Sequence, residues 1–348
     1  MRLLILSDVH YASDAEKLRR QPEGRLIHNP LLRLFARLYR HHIWLRDPFS
    51  HNHLLDHVTH GNHTPDLVVA NGDFTLDSAY VGVSDDAACA GAAACLEKLR
   101  TAFGDRLRTT IGDHELGKKS LFGGAGGLRW KSYGRTLGDL GIQQFWHEDV
   151  GDFTLVGIAS TLVALPVFEP EMLPEEAELW REASRRHRRQ ISDFFNRLPS
   201  NRRIVLFSHD PSALPFLYKD PAIQARLPQF EATIIGHLHT ALMFQLSRCL
   251  AGMPVLRGMG FTAYRYSSAL REARCWKAFK VRLCHSLSGS ELLKDGGYLT
   301  TRLSKNPEPL EFQFHRVPRG EHNVPRATLR PQTAKSPRAE SAEVGRPS

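Results

Sequence analysis

The 348-residue sequence predicts an α/β fold. Short apolar runs alternate with longer stretches of helix-forming residues over roughly the first 250 positions, the pattern of strands joined by helical crossovers. Five of the runs stop abruptly at Asp or His. In α/β sheets the carboxyl ends of the strands are where ligands collect. The composition, 42% hydrophobic and 24% charged, is that of an ordinary globular chain and excludes a wholly disordered or fibrous one.

Residues 2–6 form a first buried strand that ends at Ser7-Asp8. The run 67–70 ends at Asn71-Gly72-Asp73, and 107–111 ends at Gly112-Asp113-His114. A further strand spans 153–159. The run 204–207 ends at Ser208-His209, and 232–235 ends at Gly236-His237. Between them, 51–59, 85–103 and 175–198 carry helix formers with apolar residues at core spacing. After about 253 the pattern changes. Residues 254–256, 279–283, 298–303 and 310–317 read as strands with little helix between, which suggests a second, mostly antiparallel sheet. From 318 on the chain is rich in Pro, Arg, Ser and Ala and reads as a disordered tail, 318–348, after a domain of 1–317.

The net charge is +9, which invites a nucleic-acid or anionic-membrane partner. Its distribution narrows the invitation. Residues 11–46 hold eight Lys/Arg against three Asp/Glu, and 319–348 hold six against three. Eight of the nine excess charges therefore sit in two segments. The nearly neutral remainder argues against nucleic acid, because a nuclease needs a basic track across its body. Five cysteines, an odd number without a C-x-x-C pair, argue against a disulfide framework and point to reduced thiols in a cytoplasmic setting. Four apolar residues after Met-Arg are too few for the core of a signal peptide, and no run of 18 apolar residues suggests a membrane span.

The strand ends, collected in order, are Asp8-x-His10, Gly72-Asp73, Gly112-Asp113-His114-Glu115, Ser208-His209 and Gly236-His237-x-His239. Each fragment alone is weak, since a lone His is more often structural than a ligand. Together they bring three Asp and four ligand-type His to one sheet edge, and burying that set is costly unless cations occupy the site. The ordered set resembles the calcineurin-like metallophosphoesterase superfamily, whose blocks are D-x-H, G-D, G-N-H-[DE], H and G-H-x-H. The resemblance covers roughly residues 1–260 and implies a four-layer α/β/β/α sandwich.

It also implies roles. Asp8, His10 and His239 would hold one divalent metal ion, and Asp113, His209 and His237 the other, with Asp73 shared. Mixed His and carboxylate ligands suit Mn, Fe or Zn. Two such ions about 3.5–4 Å apart clamp a phosphate and activate the water that attacks it. His114 would stand beside the metals as the catalytic residue that stabilises developing charge or protonates the leaving oxygen. The implied activity is metal-dependent hydrolysis of a phosphate mono- or diester or a pyrophosphate. A scaffold that had lost catalysis would be expected to have lost ligands or His114, and every position here holds a competent residue.

Two departures from the family pattern stand out. Asp113 replaces the usual Asn, which adds a negative charge. That should tighten divalent metal binding and weaken the attraction for phosphate, although a neutral swap within a working subfamily is the favoured reading. Second, 62 residues separate His10 from Asp73, more than a short first crossover needs. Within this insertion, 11–50, Asn29-Pro30 is a helix start. Leu31, Leu32, Leu34, Phe35, Leu38, Tyr39, Ile43 and Leu45 then fill about half the circumference at 100° per residue, and Arg33, Arg37 and Arg40 gather opposite with Trp44. Asp47-Pro48 ends the helix.

Such a helix either packs its apolar face on the domain or forms a lid beside the metals. As a lid, Arg33, Arg37 and Arg40 would meet substrate phosphate or anionic lipid, and 30–46 would touch a membrane at its inner face. Some bacterial relatives that cleave UDP-diacylglucosamine are similar in carrying a basic, apolar helical insertion. The substrate is accordingly expected to be a phosphorylated small molecule or a lipid-linked one. His28, His41, His42, His51, His53, His57, His60 and His63 crowd the same region and read as surface or packing residues. Gly123 to Gly127 reads as a mobile loop near the site rather than a phosphate cradle.

Overall fold

Two five-stranded sheets lie face to face in the computed structural model, which describes residues 1–19, 27–61, 64–121, 124–257, 261–304 and 309–319. The strands are β1 (Arg2–Leu6), β2 (Leu67–Asn71), β3 (Leu107–Thr110), β4 (Phe145–Val150), β5 (Phe153–Ile158), β6 (Arg203–Ser208), β7 (Phe230–Ile235), β8 (Val281–Leu283), β9 (Gly297–Arg302) and β10 (Phe312–Arg316). One sheet has the order β10-β9-β1-β2-β3 and the other β4-β5-β6-β7-β8. Within the first, β1, β2 and β3 are parallel. Within the second, β5 to β8 are parallel.

The period-two alternation of strand side chains builds the layers. Leu3, Ile5, Leu67 and Val69 form one core with Phe153, Leu155, Val205, Phe207, Ala232 and Ile234, between the sheets. Their alternates Leu4, Leu6, Val68 and Ala70 belong to a second core. With them are Leu54, Leu55 and Val58 of the helix Leu54–Thr59, and Cys95, Leu96 and Leu99 of the helix Asp86–Phe103. Val156, Ile158, Ile204 and Leu206 join Trp180, Ile191 and Phe195 of the helix Ala177–Arg197 in the same cluster. The result is helix, sheet, sheet, helix, as the resemblance implied.

The C-terminal strands do not form a separate antiparallel sheet. β8 extends the second sheet in parallel, and β9 and β10 extend the first antiparallel to β1 and to each other. The reason is the connection. Helices at Ala241–Cys249 and Phe261–Arg271 precede β8, and a strand reached through helices returns parallel. Residues 254–256 are not a strand. Pro254 offers no N–H, and the Leu256 N–H is taken by Ser267 Oγ at 2.9 Å. The edge strand β4, with the mixed sequence Phe-Trp-His-Glu-Asp-Val, was not among the expected strands.

The basic helix runs Pro30–His42, with Asn29 Oδ1 accepting from the N–H groups of Leu31 and Leu32 at 2.9 and 3.1 Å. It starts where expected but stops five residues before Asp47. The Ile43 and Trp44 N–H groups both return to the Tyr39 carbonyl, at 2.9 and 3.0 Å, and turn the chain inward. Trp44 and Leu45 therefore leave the helical wheel, and Leu45 is buried. Of the helix itself only Ala36 is buried. Leu31 is 78% exposed, Phe35 56%, Leu34 52% and Leu38 50%. Among the described residues no helix is long and apolar enough to cross a membrane. All five cysteines are unpaired. His63, Gly123 and tail residues 320–348 lie outside the described residues, whereas Arg319 pairs with Glu291 at 3.0 Å.

Candidate metal centre

The parallel strands of both sheets deliver their carboxyl ends to one edge, and the chain there is strained. Asp8 (φ +52°), His10 (+50°), Asp73 (+58°), His237 (+58°) and His239 (+60°) are all in the left-handed region. A non-glycine residue there costs about 1–3 kcal/mol and persists only where its surroundings over-determine it. They do so here. The Asp8 and His10 N–H groups donate to the Gly72 and Asp73 carbonyls at 3.1 and 3.0 Å. The buried Glu115 carboxylate accepts from the N–H groups of Gly112 (2.8 Å), Asp73 (3.0 Å), Phe74 (2.7 Å) and Thr75 (3.3 Å). Two glycines leave room for the ligands. A Cβ on Gly112 would lie 2.2 Å from Asp73 Oδ1, and one on Gly236 2.3 Å from Asp8 Oδ2.

Asp8, His10, Asp73 and His239 form one buried group able to hold a cation, and Asp113, His209 and His237 another. In the first, His239 Nε2 is 3.1 Å from Asp8 Oδ1 and 3.2 Å from His10 Nε2. In the second, Asp113 Oδ1 is 3.1 Å from His237 Nδ1 and 3.3 Å from His209 Nε2. Asp73 Oδ2 lies 3.1 Å from His209 Nε2 and 3.9 Å from His10 Nε2, so one oxygen reaches both groups. The His209 Nδ1–H side faces the Asn71 carbonyl at 2.6 Å, which turns Nε2 inward.

The donor set fits divalent ions. Asp73 Oδ2 and His209 Nε2 are buried and lack a hydrogen-bond partner, although they lie close together. Most buried polar atoms in folded proteins are hydrogen-bonded, so two orphans inside one cluster of ligating donors fit a bound cation. The electrostatics agree. Burial pushes the Asp8 carboxyl up, but His239 and His209 outweigh it and hold the group well below the usual range. Burial likewise opposes charge on His209, yet Asp73 and Asp8 push it well above an ordinary histidine. His10 goes the other way, to about 4, through burial and the neighbouring His239. Carboxylates that draw positive charge into a buried cluster are the mark of a cation site.

His114 stands beside both groups. Its Nδ1 faces the Leu76 carbonyl at 2.9 Å, and its Nε2 lies 3.8 Å from Asp73 Oδ2. Burial first, and Lys118 second, hold it well below the usual histidine range, so the ring is neutral. A pocket of about 650 Å³ opens over the cluster, with His10, His114, His237 and His239 on one wall. Trp44, Phe49, Leu121, Phe168, Leu270 and Trp276 contribute an apolar surface.

The three arginines separate. Arg40 lines the pocket. Arg33 turns back, its Nε and Nη2 donating to the Ile27 carbonyl at 2.9 and 2.8 Å. Arg37 is exposed and lies outside the pocket wall. Among the described histidines of 28–60, none belongs to a candidate metal group. Gly126 is pinned rather than open, since a Cβ there would lie 2.1 Å from the Tyr80 carbonyl oxygen.

Several residues at the site escaped the sequence reading. Trp44 was placed on the polar face of the helix, yet its ring stacks on His239 with centroids 4.7 Å apart at 29°. Lys118 Nζ pairs with Asp113 Oδ2 at 2.7 Å. Asp210 Oδ2 lies 3.7 Å from His237 Nε2, and Arg265 pairs with Glu171 at 2.8 Å on the pocket wall. Glu115 alone carried a signal, as the last residue of the third block.

The family description "calcineurin-like phosphoesterase" matches residues 1–241. No curated protein matches the chain. Among solved structures, a dimetal phosphatase from Danio rerio aligns at TM-score 0.42 and 12% identity, covering 90% of this chain and 95% of its own. A phosphopantetheinyl hydrolase from Mycobacterium tuberculosis aligns at 0.34 and 14%, covering 68% and 82%. A Vps29 variant from Entamoeba histolytica aligns at 0.31 and 10%, covering 90% and 98%.

Proposed function

We propose, because the chain belongs to the calcineurin-like phosphoesterase family, that it hydrolyses a phosphate ester or phosphoanhydride bond at a centre of two divalent metal ions. The observation that carries this is the pair of buried donor groups with Asp73 Oδ2 within reach of both. Asp8, His10, Asp73 and His239 would hold one ion, and Asp113, His209 and His237 the other. Mn, Fe or Zn suits these donors. Bound there, such ions supply Lewis acidity toward phosphoryl oxygens and lower the pKa of a water.

The protein's own groups do the rest. Glu115 locks the loop that presents Asp73. The Leu76 carbonyl accepts from Nδ1–H and fixes the His114 ring with Nε2 facing the cluster, where it would take up a proton and then donate it to a phosphoryl or leaving oxygen. Metal analysis with a panel of p-nitrophenyl phosphate, bis-p-nitrophenyl phosphate and nucleotide pyrophosphates tests the reading. Two metals per chain and turnover on at least one substrate are expected. A metal-loaded protein inert on all of them would return the scaffold reading.

A second reading concerns the substrate. The apolar pocket wall and the exposed leucines of Pro30–His42 favour an amphiphilic one, such as a lipid-linked pyrophosphate of the UDP-diacylglucosamine type, met by a cytoplasmic protein at the inner membrane face. Sedimentation with vesicles containing anionic lipid tests it. The native chain should partition, and a variant with Leu34, Phe35 and Leu38 replaced by Ser should not. Equal partition of the two defeats the lipid reading and leaves small soluble phosphoesters.

A further inference from the structure

The carboxylate of Asp113 is divided between two jobs. Its Oδ1 lies 3.1 Å from His237 Nδ1 and 3.3 Å from His209 Nε2, inside the candidate metal group. Its Oδ2 points the other way and meets Lys118 Nζ at 2.7 Å. The side chains are 0% and 16% exposed. A lysine this enclosed needs a carboxylate to remain charged.

The contact depends on a turn. Asp113–Leu116 is one short helical turn, and Gly117 follows at φ +89°. A Cβ on Gly117 would lie 2.5 Å from the Gly127 carbonyl oxygen, so only glycine fits. The reversal brings Lys118 back onto the residue that opened the turn, five positions earlier. That spacing belongs to no helical face, so the pair is invisible in the sequence pattern.

We propose that Lys118 is the charge partner of Asp113, and that the two act as one unit presenting the second metal position with a ligand whose extra negative charge is cancelled locally. The inference rests on the two-metal reading above. It also replaces the expectation that the carboxylate, as such, tightens metal binding. The ammonium lies on the far oxygen and offsets that charge before the metal position feels it. An amide at 113 would instead place its NH2 or its uncharged oxygen against a buried ammonium. Lys118 would then stand uncompensated beside a dication.

The prediction is a coupling, read as metal affinity. Mn²⁺ binding to the full chain is measured by calorimetry, with metal content by mass spectrometry. The proteins are the native chain, Asp113→Asn, Lys118→Met and the double variant. Asp113→Asn should weaken the second Mn²⁺ by about tenfold or more, since like charges a few ångströms apart in a protein interior repel on that scale. Lys118→Met alone should tighten it. The double variant should return to within about threefold of native. Lys118→Gln repeats the test should the Met variant not fold.

Additive effects, with Asp113→Asn costing the same whether 118 is Lys or Met, would overturn the pairing. Two Mn²⁺ in the native chain with additive variants defeats this inference alone. Fewer than two in the native chain defeats the two-metal reading beneath it and the pairing with it.

Discussion

The candidate metal groups and the helix Pro30–His42 border the same pocket, but different physics holds each in place. Every candidate ligand of the cluster is largely enclosed, and five of the seven sit in left-handed backbone that the strand-end hydrogen bonds over-determine. The basic helix has only Ala36 buried and shows most of its leucines to solvent. It is fastened at its ends. Asn29 caps its start, Arg33 grips the Ile27 carbonyl, and just past its end Trp44 stacks on His239. Chemistry needs donors fixed to a fraction of an ångström, so strain and burial gather there. An element that adds little to the core is under no such demand.

Substitutions at the two regions should therefore separate cleanly. Asp73→Asn weakens the oxygen that reaches both metal groups, and turnover should fall about 10³-fold or more together with metal content. Retention of native metal content and rate would mean that the two groups do not share Asp73. His114→Ala should cost about 10²- to 10⁴-fold in kcat with both metals retained. A loss of metal in that variant would make His114 a ligand instead.

Trp44→Ala joins the two regions. Losing one aromatic stack is worth about 0.5–1.5 kcal/mol, so a change in kcat/KM of up to about tenfold is expected, with unchanged metal stoichiometry. Loss of one metal ion would show that the helix end supports the centre, and the contrast would fail. Smallest of all is Phe35→Ser. An exposed site of this kind shifts stability by about 0.5 kcal/mol or less, whereas Leu96→Ala in the core should cost about 2–5 kcal/mol in a denaturant titration. A core-sized loss at Phe35 would reveal a packed face.

The centre was legible because its signals are local. Apolar runs ending in Asp or His are written within a few residues, and Asn29-Pro30 names its own helix start. The destination of β9 and β10 was not legible, because their side-chain pattern suits an antiparallel edge of either sheet. Register with β1 settled it, with Arg2 opposite Arg302 and Ile5 opposite Leu299. The pattern at 254–256 read as a strand because apolar residues flank a proline that cannot join a ladder.

By itself the sequence determined the strand ends, the order along the chain of the Asp and His residues that converge there, the separation of a nearly neutral body from two basic segments, and the start of the basic helix. These follow from period, punctuation and charge, which act over one or two turns of chain. Only the tertiary structure decided that Trp44 covers His239, that Arg33 turns away while Arg40 reaches the pocket, and that Lys118 answers the charge of Asp113. Those contacts join residues whose spacing has no periodic meaning. They form only after both sheets have brought their carboxyl edges together, where burial makes each unpaired charge costly enough to choose its partner.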